Sequence, residues 1–237
     1  MTGRRVVRGG VIAAVGAAVG TWAALAGVAT PTAVAQPCPD AEVVFARGTG
    51  EAPGVGGIGQ AFVDSVRAQA GPRSVGVYAV GYPAGDNFAD RIGFASTVVD
   101  GVRDAADRVQ TMAADCPDTK MILGGYSQGA LVAGFVTSAE VPAGVPAESV
   151  PQPMPPEVAE HVAAVVLFAT PSANFLSQFG APPVTIGPLY QQKTLELCDP
   201  GDSICSGAPG GGPNLAHALY AFDGSVNEGA AFAVSRL

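Results

Sequence analysis

The stretch TKMILGGYSQGALVAGFVTS, Thr119 to Ser138, decides the fold class. Its opening, Thr119–Gly124, is a short apolar run with the length and boundaries of a buried strand. From Gln128 onward the residues are rich in Ala, Leu and Val and read as a helix. Between them, Gly125-Tyr126-Ser127-Gln128-Gly129 fits the pattern G-x-S-x-G. That pattern marks a sharp strand-to-helix turn that lifts a serine hydroxyl clear of a sheet. Side chains at Gly125 and Gly129 would collide with neighbouring backbone, so the turn needs both glycines. In a chain with 32 glycines the pentapeptide alone is weak. The strand before it and the helix after it make it specific, and Ser127 is the candidate nucleophile.

Working outward, short apolar runs alternate with longer amphipathic ones, the pattern of a parallel sheet covered by helices on both faces. Glu42–Ala46, Ser74–Val80, Thr119–Gly124, His161–Ala169 and Gln192–Leu197 are the expected strands. Ile58, Phe62, Val66 and Ala70 recur at helical spacing, as do Val98, Val102, Ala105 and Val109 within a helix expected over Ile92–Ala114. Gly229–Leu237 is expected to close the chain as a helix. No internal repeat is present.

Composition bounds the function. The 237 residues are 48% hydrophobic, ample for one large core. A net charge of −8 argues against a nucleic-acid partner, whose phosphates need a basic surface. Arg4, Arg5 and Arg8 precede an uncharged run from Gly9 to Pro39, and Ala33-Val34-Ala35 supplies a small-x-small cleavage pattern. Residues 1–35 are therefore expected to be a cleaved signal peptide, with an uncleaved membrane anchor as the alternative. The domain is expected over 36–237, outside the cell or held at its envelope, with no membrane insertion once the signal is removed. All four cysteines follow the signal, which suits an oxidising compartment. Cys198 and Cys205 flank a turn-rich stretch that brings its ends together, which leaves Cys38 to pair with Cys116. Without C-x-x-C or a histidine near a cysteine cluster, no metal site is expected.

A serine hydroxyl needs a base to remove its proton. Of the two histidines, His161 opens an expected strand, whereas active-site groups of parallel sheets gather at the carboxyl ends. His217, after the last strand, fits the chain order Ser, acid, His. Glu140, Glu148, Glu157 and Glu160 fall at the wrong end of the fourth strand, and Glu196 lies within the fifth. Asp199 and Asp202 both sit in the loop that follows, and position does not separate them. The backbone N–H of Gln128, next after the nucleophile, is the expected oxyanion donor.

VVFARGTGE at Val43–Glu51, GGYSQGA at Gly124–Ala130, CDPGDSIC at Cys198–Cys205 and Ala216-His217 together resemble the cutinase family, in particular secreted cutinase-like esterases of mycobacteria and related actinobacteria. The resemblance spans nearly the whole mature chain. It implies a compact, lidless α/β-hydrolase with a central five-stranded parallel sheet. It also implies Asp202 as the acid, Thr49 as the second oxyanion donor, and disulfides Cys38–Cys116 and Cys198–Cys205. Arg47 is expected to shape the Thr49 loop through salt bridges.

The expected function is hydrolysis of short-to-medium acyl esters, with a lipid-like substrate and no cofactor. Tyr82, Pro83, Phe88, Phe175, Leu176, Phe179, Leu215 and Leu219 are the candidate apolar rim, better suited to an aliphatic chain than to a sugar. The competing readings are a non-catalytic secreted binding protein or antigen on the same fold, and an esterase of acetylated carbohydrate. The segment Glu140–Pro156 carries Pro142, Pro146, Pro151, Pro153, Pro155 and Pro156 and is longer than the resemblance implies. It joins a helix to the next strand, so it is expected at the amino-end face, away from the site, as a stiff spacer.

Overall fold

The computed structural model describes residues 37–237; the expected signal peptide and the alternative anchor lie outside the described residues. Strands β1 (Ala41–Ala46), β2 (Val75–Ala79), β3 (Lys120–Tyr126), β4 (Val162–Phe168) and β5 (Thr194–Leu197) form one sheet in the order β2-β1-β3-β4-β5. Every pairing is parallel. The helices are α1 (Gly56–Gln69), α2 (Arg91–Asp115), α3 (Gln128–Val136), α4 (Ala173–Ser177), α5 (Pro188–Gln191), α6 (Leu215–Ala218) and α7 (Ser225–Val234).

Strand side chains alternate between two cores, as the two-residue period of a strand requires. Val44, Leu123, Val165 and Leu167 pack with Val98, Ala105 and Val109 of α2 and Leu131 of α3. Val43, Phe45, Ile122, Val166 and Phe168 pack on the other face with Phe62 and Val66 of α1 and Val226 and Ala230 of α7. Covered on both sides, the central strands are largely apolar rather than alternating; the buried exception is Glu42 of β1, whose carboxylate accepts from the Arg108 guanidinium of α2 at 2.5 and 2.7 Å. The aromatic centre of the second core is Phe45, Phe62 and Phe168, whose ring centroids lie 5.4–6.3 Å apart.

Several elements differ from the sequence expectation. β3 runs two residues further, because Gly125 and Tyr126 still pair with Ala46 and Phe168. The closing helix starts at Ser225, where Gly224 at φ +98° turns the chain and Val226, Ala230 and Ala233 face inward. Helices α4, α5 and α6 have four or five residues each, too few for a helical period to show in the sequence.

Cys38 is bonded to Cys116 and Cys198 to Cys205, so none of the four is free. The first bond ties the chain before β1 to the end of α2. The second closes the loop after β5.

Candidate active site

The order β2-β1-β3 makes β1 and β3 neighbours whose connections leave in different directions, and a crevice opens beyond their carboxyl ends. Ser127 stands there, between the last residue of β3 and the first of α3. Its φ of +54° is unfavourable for a residue with a side chain. The surroundings hold it: its N–H donates to the Phe168 carbonyl at 2.9 Å, and its carbonyl accepts from Ala130 at 2.9 Å. A Cβ on Gly125 would lie 2.0 Å from the Gly129 carbonyl oxygen, and one on Gly129 would lie 1.9 Å from that of Ala46. Both glycines are therefore required sterically.

His217 Nε2 lies 2.9 Å from Ser127 Oγ, and His217 Nδ1 lies 2.8 Å from Asp202 Oδ2. Asp202 is fully buried, and its other oxygen, Oδ1, accepts the Ile204 N–H at 2.9 Å. Asp199 turns away; its Oδ1 accepts the Gly201 N–H within the same loop. α6 delivers His217: Asn214 caps this short helix by accepting the His217 N–H at 3.0 Å. Tyr126 donates its hydroxyl to the His217 carbonyl at 2.6 Å, with its ring 5.2 Å from the imidazole. His161 is at the amino end of β4, its Nδ1 3.0 Å from the Pro117 carbonyl.

Tyr220 is a part of this site that sequence reading missed. Its hydroxyl donates to Asp202 Oδ2 at 2.9 Å and accepts the Asp199 N–H at 2.9 Å. Burial, together with the Asp202 carboxylate, pushes its phenol well above the ordinary tyrosine range, so it stays a proton donor. Its position three residues after His217 was the only signal in the sequence, and nothing there indicated a contact with the acid.

Gln128 is the first residue of α3, so its N–H has no partner within the helix and sits at the positive end of the helix dipole. The Gln128 side chain is buried and its Nε2 reaches Thr97 Oγ1 at 3.2 Å and the Gly85 carbonyl at 3.3 Å, tying the elbow to α2. Thr49 lies on the facing loop after β1. Glu51 braces that loop by accepting the N–H groups of Gly48 and Gly57 at 2.6 and 2.7 Å. Arg47 shapes it without the expected salt bridge: among the described residues its guanidinium bonds carbonyls, those of Glu51 and Tyr82. The Glu51 carboxylate is already engaged by the backbone N–H groups of Gly48 and Gly57. Tyr82 returns a hydroxyl bond to the Arg47 carbonyl, which makes it a buried brace of the loop rather than part of a rim.

Ser127, Thr49 and Gln128 open on a cavity of about 920 Å³. Phe88, Phe175, Leu176 and Phe179 line it, whereas Leu215 and Leu219 lie outside its wall and are exposed. The proline-rich segment also lines it, from Val141 to Met154. Its expected placement away from the site is therefore corrected. The segment follows α3, but α3 has only nine residues, about 13 Å of helix, and one groove runs along its whole length. No cluster of His, Cys, Asp and Glu suited to a metal occurs among the described residues.

A family model described as Cutinase matches residues 37–237. The probable carboxylesterase Culp7 of Mycobacterium tuberculosis is 60% identical over 170 residues, covering 72% of this chain and 89% of that protein. The carboxylesterase Culp1 of Mycobacterium bovis is 45% identical over 243 residues, covering 100% of this chain and 98% of that protein. Among solved structures, a Trichoderma reesei cutinase in complex with a phosphonate inhibitor is 32% identical with a TM-score of 0.62, covering 84% of this chain and 77% of that one. An acetylxylan esterase solved at 0.90 Å is 23% identical with a TM-score of 0.64, covering 84% of this chain and 99% of that one, and shows the shared α/β-hydrolase fold alone.

Proposed function

The chain belongs to the cutinase family, and from that premise we propose that it is an exported carboxylic ester hydrolase acting through Ser127, His217 and Asp202. The observation that carries the reading is the continuous contact from Ser127 Oγ to His217 Nε2 and from His217 Nδ1 to buried Asp202. Ser127 attacks the ester carbonyl as His217 takes its proton. The carbonyl electrons move onto an oxygen held by the N–H groups of Gln128 and Thr49. The intermediate collapses, His217 returns the proton to the departing alcohol, and an acyl-Ser127 ester is left. Water, deprotonated by His217, then releases the acid and restores Ser127. Asp202 fixes the imidazole tautomer and stabilises its cationic form.

Removal of residues 1–35 belongs to this reading. Protein collected from the medium of a producing culture should begin at Gln36; a mature form that retains Arg4–Ala35 would instead support the anchor. The apolar cavity favours an aliphatic acyl group over an acetylated sugar, whose hydroxyls would need polar partners.

Ser127→Ala tests the chemistry. It should lower kcat by about 10⁴-fold or more with an unchanged circular-dichroism spectrum, since members of such a set act as a unit. A p-nitrophenyl alkylphosphonate should add one covalent label, on Ser127, to the wild-type protein. Absence of label together with wild-type activity in the alanine variant would reject Ser127, and absence of both label and activity in the wild type would favour a binding protein.

A further inference from the structure

The cavity continues far past the reacting atoms, and the chemistry at Ser127 makes no use of that continuation. Along α2 its wall runs to Ala106, and past Thr97, where Gln128 ties the elbow to α2, about 14 Å of that helix remains at 1.5 Å per residue. Leu131, Phe135 and Val136 of α3 line the same stretch. Beyond the end of α3 the proline-rich segment closes it, with Val141, Val145, Val150, Pro151 and Met154 half-buried in its lining. Of the lining polar groups at that end, Glu140, Ser149 and Gln152 are exposed and solvated, and half-buried Ser138 already donates its hydroxyl to the Thr185 carbonyl at 2.8 Å, so none offers a sugar hydroxyl a free buried donor.

The geometry of the reaction selects what enters. The departing oxygen must face His217 Nε2 to receive its proton. His217 does not line this cavity, whereas both expected oxyanion donors, Thr49 and Gln128, do. The acyl side of the ester, not the alcohol side, therefore points into the groove. Prolines at 142, 146, 151 and 153 fix φ along the distal wall and leave it with little freedom to lose when a chain settles against it.

We propose that the occupant is a long unbranched acyl chain of the substrate, and that segment 141–154 is the distal wall that sets how long a chain the enzyme prefers. The proposal rests on Ser127 being the nucleophile. It replaces the expectation of short-to-medium chains, because a short chain would leave most of the groove along α2 unfilled.

The test is the dependence of kcat/KM on chain length for p-nitrophenyl butyrate, octanoate and laurate, each kept below its solubility limit. In the wild type kcat/KM should rise from butyrate to octanoate and again to laurate, by up to about fourfold for each methylene buried. Val102→Trp fills the middle of the groove, and Val145→Asp puts a charge in its distal wall. Each should lower the laurate-to-butyrate ratio by about tenfold or more, as loss of two or more buried methylenes implies. Val145 is a half-buried loop position whose change leaves α2 and α3 intact, so it keeps the test open should the tryptophan variant fail to fold. A wild-type profile that is flat or falls beyond octanoate overturns the proposal, as does a ratio unmoved in the folded variants. If butyrate is hydrolysed in either of those cases, the Ser127 reading survives. If no ester is turned over and no phosphonate label forms, that reading fails and the proposal with it.

Discussion

Gly129 leaves no space for a methyl group, since a Cβ there would sit against the Ala46 carbonyl oxygen at 1.9 Å. Neither β1 nor the elbow can retreat without breaking sheet pairing, so Gly129→Ala should destabilise the fold by about 3 kcal/mol or more. Thermal or denaturant unfolding would show it as a lowered midpoint. At the acid, Asp202→Asn should reduce kcat by about 10⁴-fold through loss of the correct tautomer, while Asp199→Asn should stay within a few-fold of wild type. The reverse result would move the acid to Asp199. In the proposed mechanism Tyr220 acts through Asp202, as a positioning residue. Tyr220→Phe removes one donor from a buried carboxylate, an interaction worth about 1.5–3 kcal/mol. It should lower kcat by roughly tenfold or more at nearly constant KM and shift the acid limb of the pH–rate profile. A change in stability with an unmoved pH profile would reduce Tyr220 to packing.

At the scale of elements, the two disulfides serve different ends. Cys38–Cys116 spans 78 residues and Cys198–Cys205 spans 7. Loop-closure entropy assigns about 4.5 kcal/mol to the first and about 2.4 kcal/mol to the second. Replacing Cys38 and Cys116 by serine should therefore cost more stability, read as a lower unfolding midpoint, with turnover retained below that midpoint. Replacing Cys198 and Cys205 should cost less stability and more turnover, because that loop carries Asp202 and its Ile204 N–H donor. Equal losses of activity in the two variants would contradict this division. The elbow is likewise a property of elements: β3 ends in the sheet, α3 begins at once, and Ser127 alone takes the strained conformation between them.

For the whole molecule, the alkaline limit follows from its buried phenols. Burial pushes Tyr82, Tyr126 and Tyr220 far above the ordinary tyrosine range and Tyr190 up to about 12. These groups keep their protons in the folded state at pH values where the unfolded chain ionises. The unfolded state then binds fewer protons, so their stabilising contribution, complete below about pH 10, declines as pH rises through the folded values. The unfolding midpoint should fall steeply above about pH 10. Tyr190→Phe, which removes a phenol outside the site, should lessen the slope. A midpoint that is level from pH 8 to 11 would contradict the assignment of these phenols.

What the sequence determined by itself is what local chemistry encodes. Apolar runs of strand length, helical spacing in α1 and α2, and a serine between two glycines at a strand–helix junction make the parallel sheet and the elbow legible. Each depends on residues only a few positions apart. Chain order likewise singled out His217 over His161, since the end of a strand at which a residue falls can be read directly. The tertiary structure decided which groups meet across long separations. Asp199 and Asp202 differ by three positions in one loop, and only the packing of that loop on α6 and Tyr220 turns Asp202 toward the imidazole. Arg47 bonds carbonyls rather than a carboxylate because the loop has already committed Glu51 to backbone N–H groups. The proline-rich segment reads as a remote spacer because connectivity puts it at the amino end of β4. It borders the cavity because α3 is short and the groove beside it spans both ends, a distance set by three-dimensional packing and carried by no local pattern.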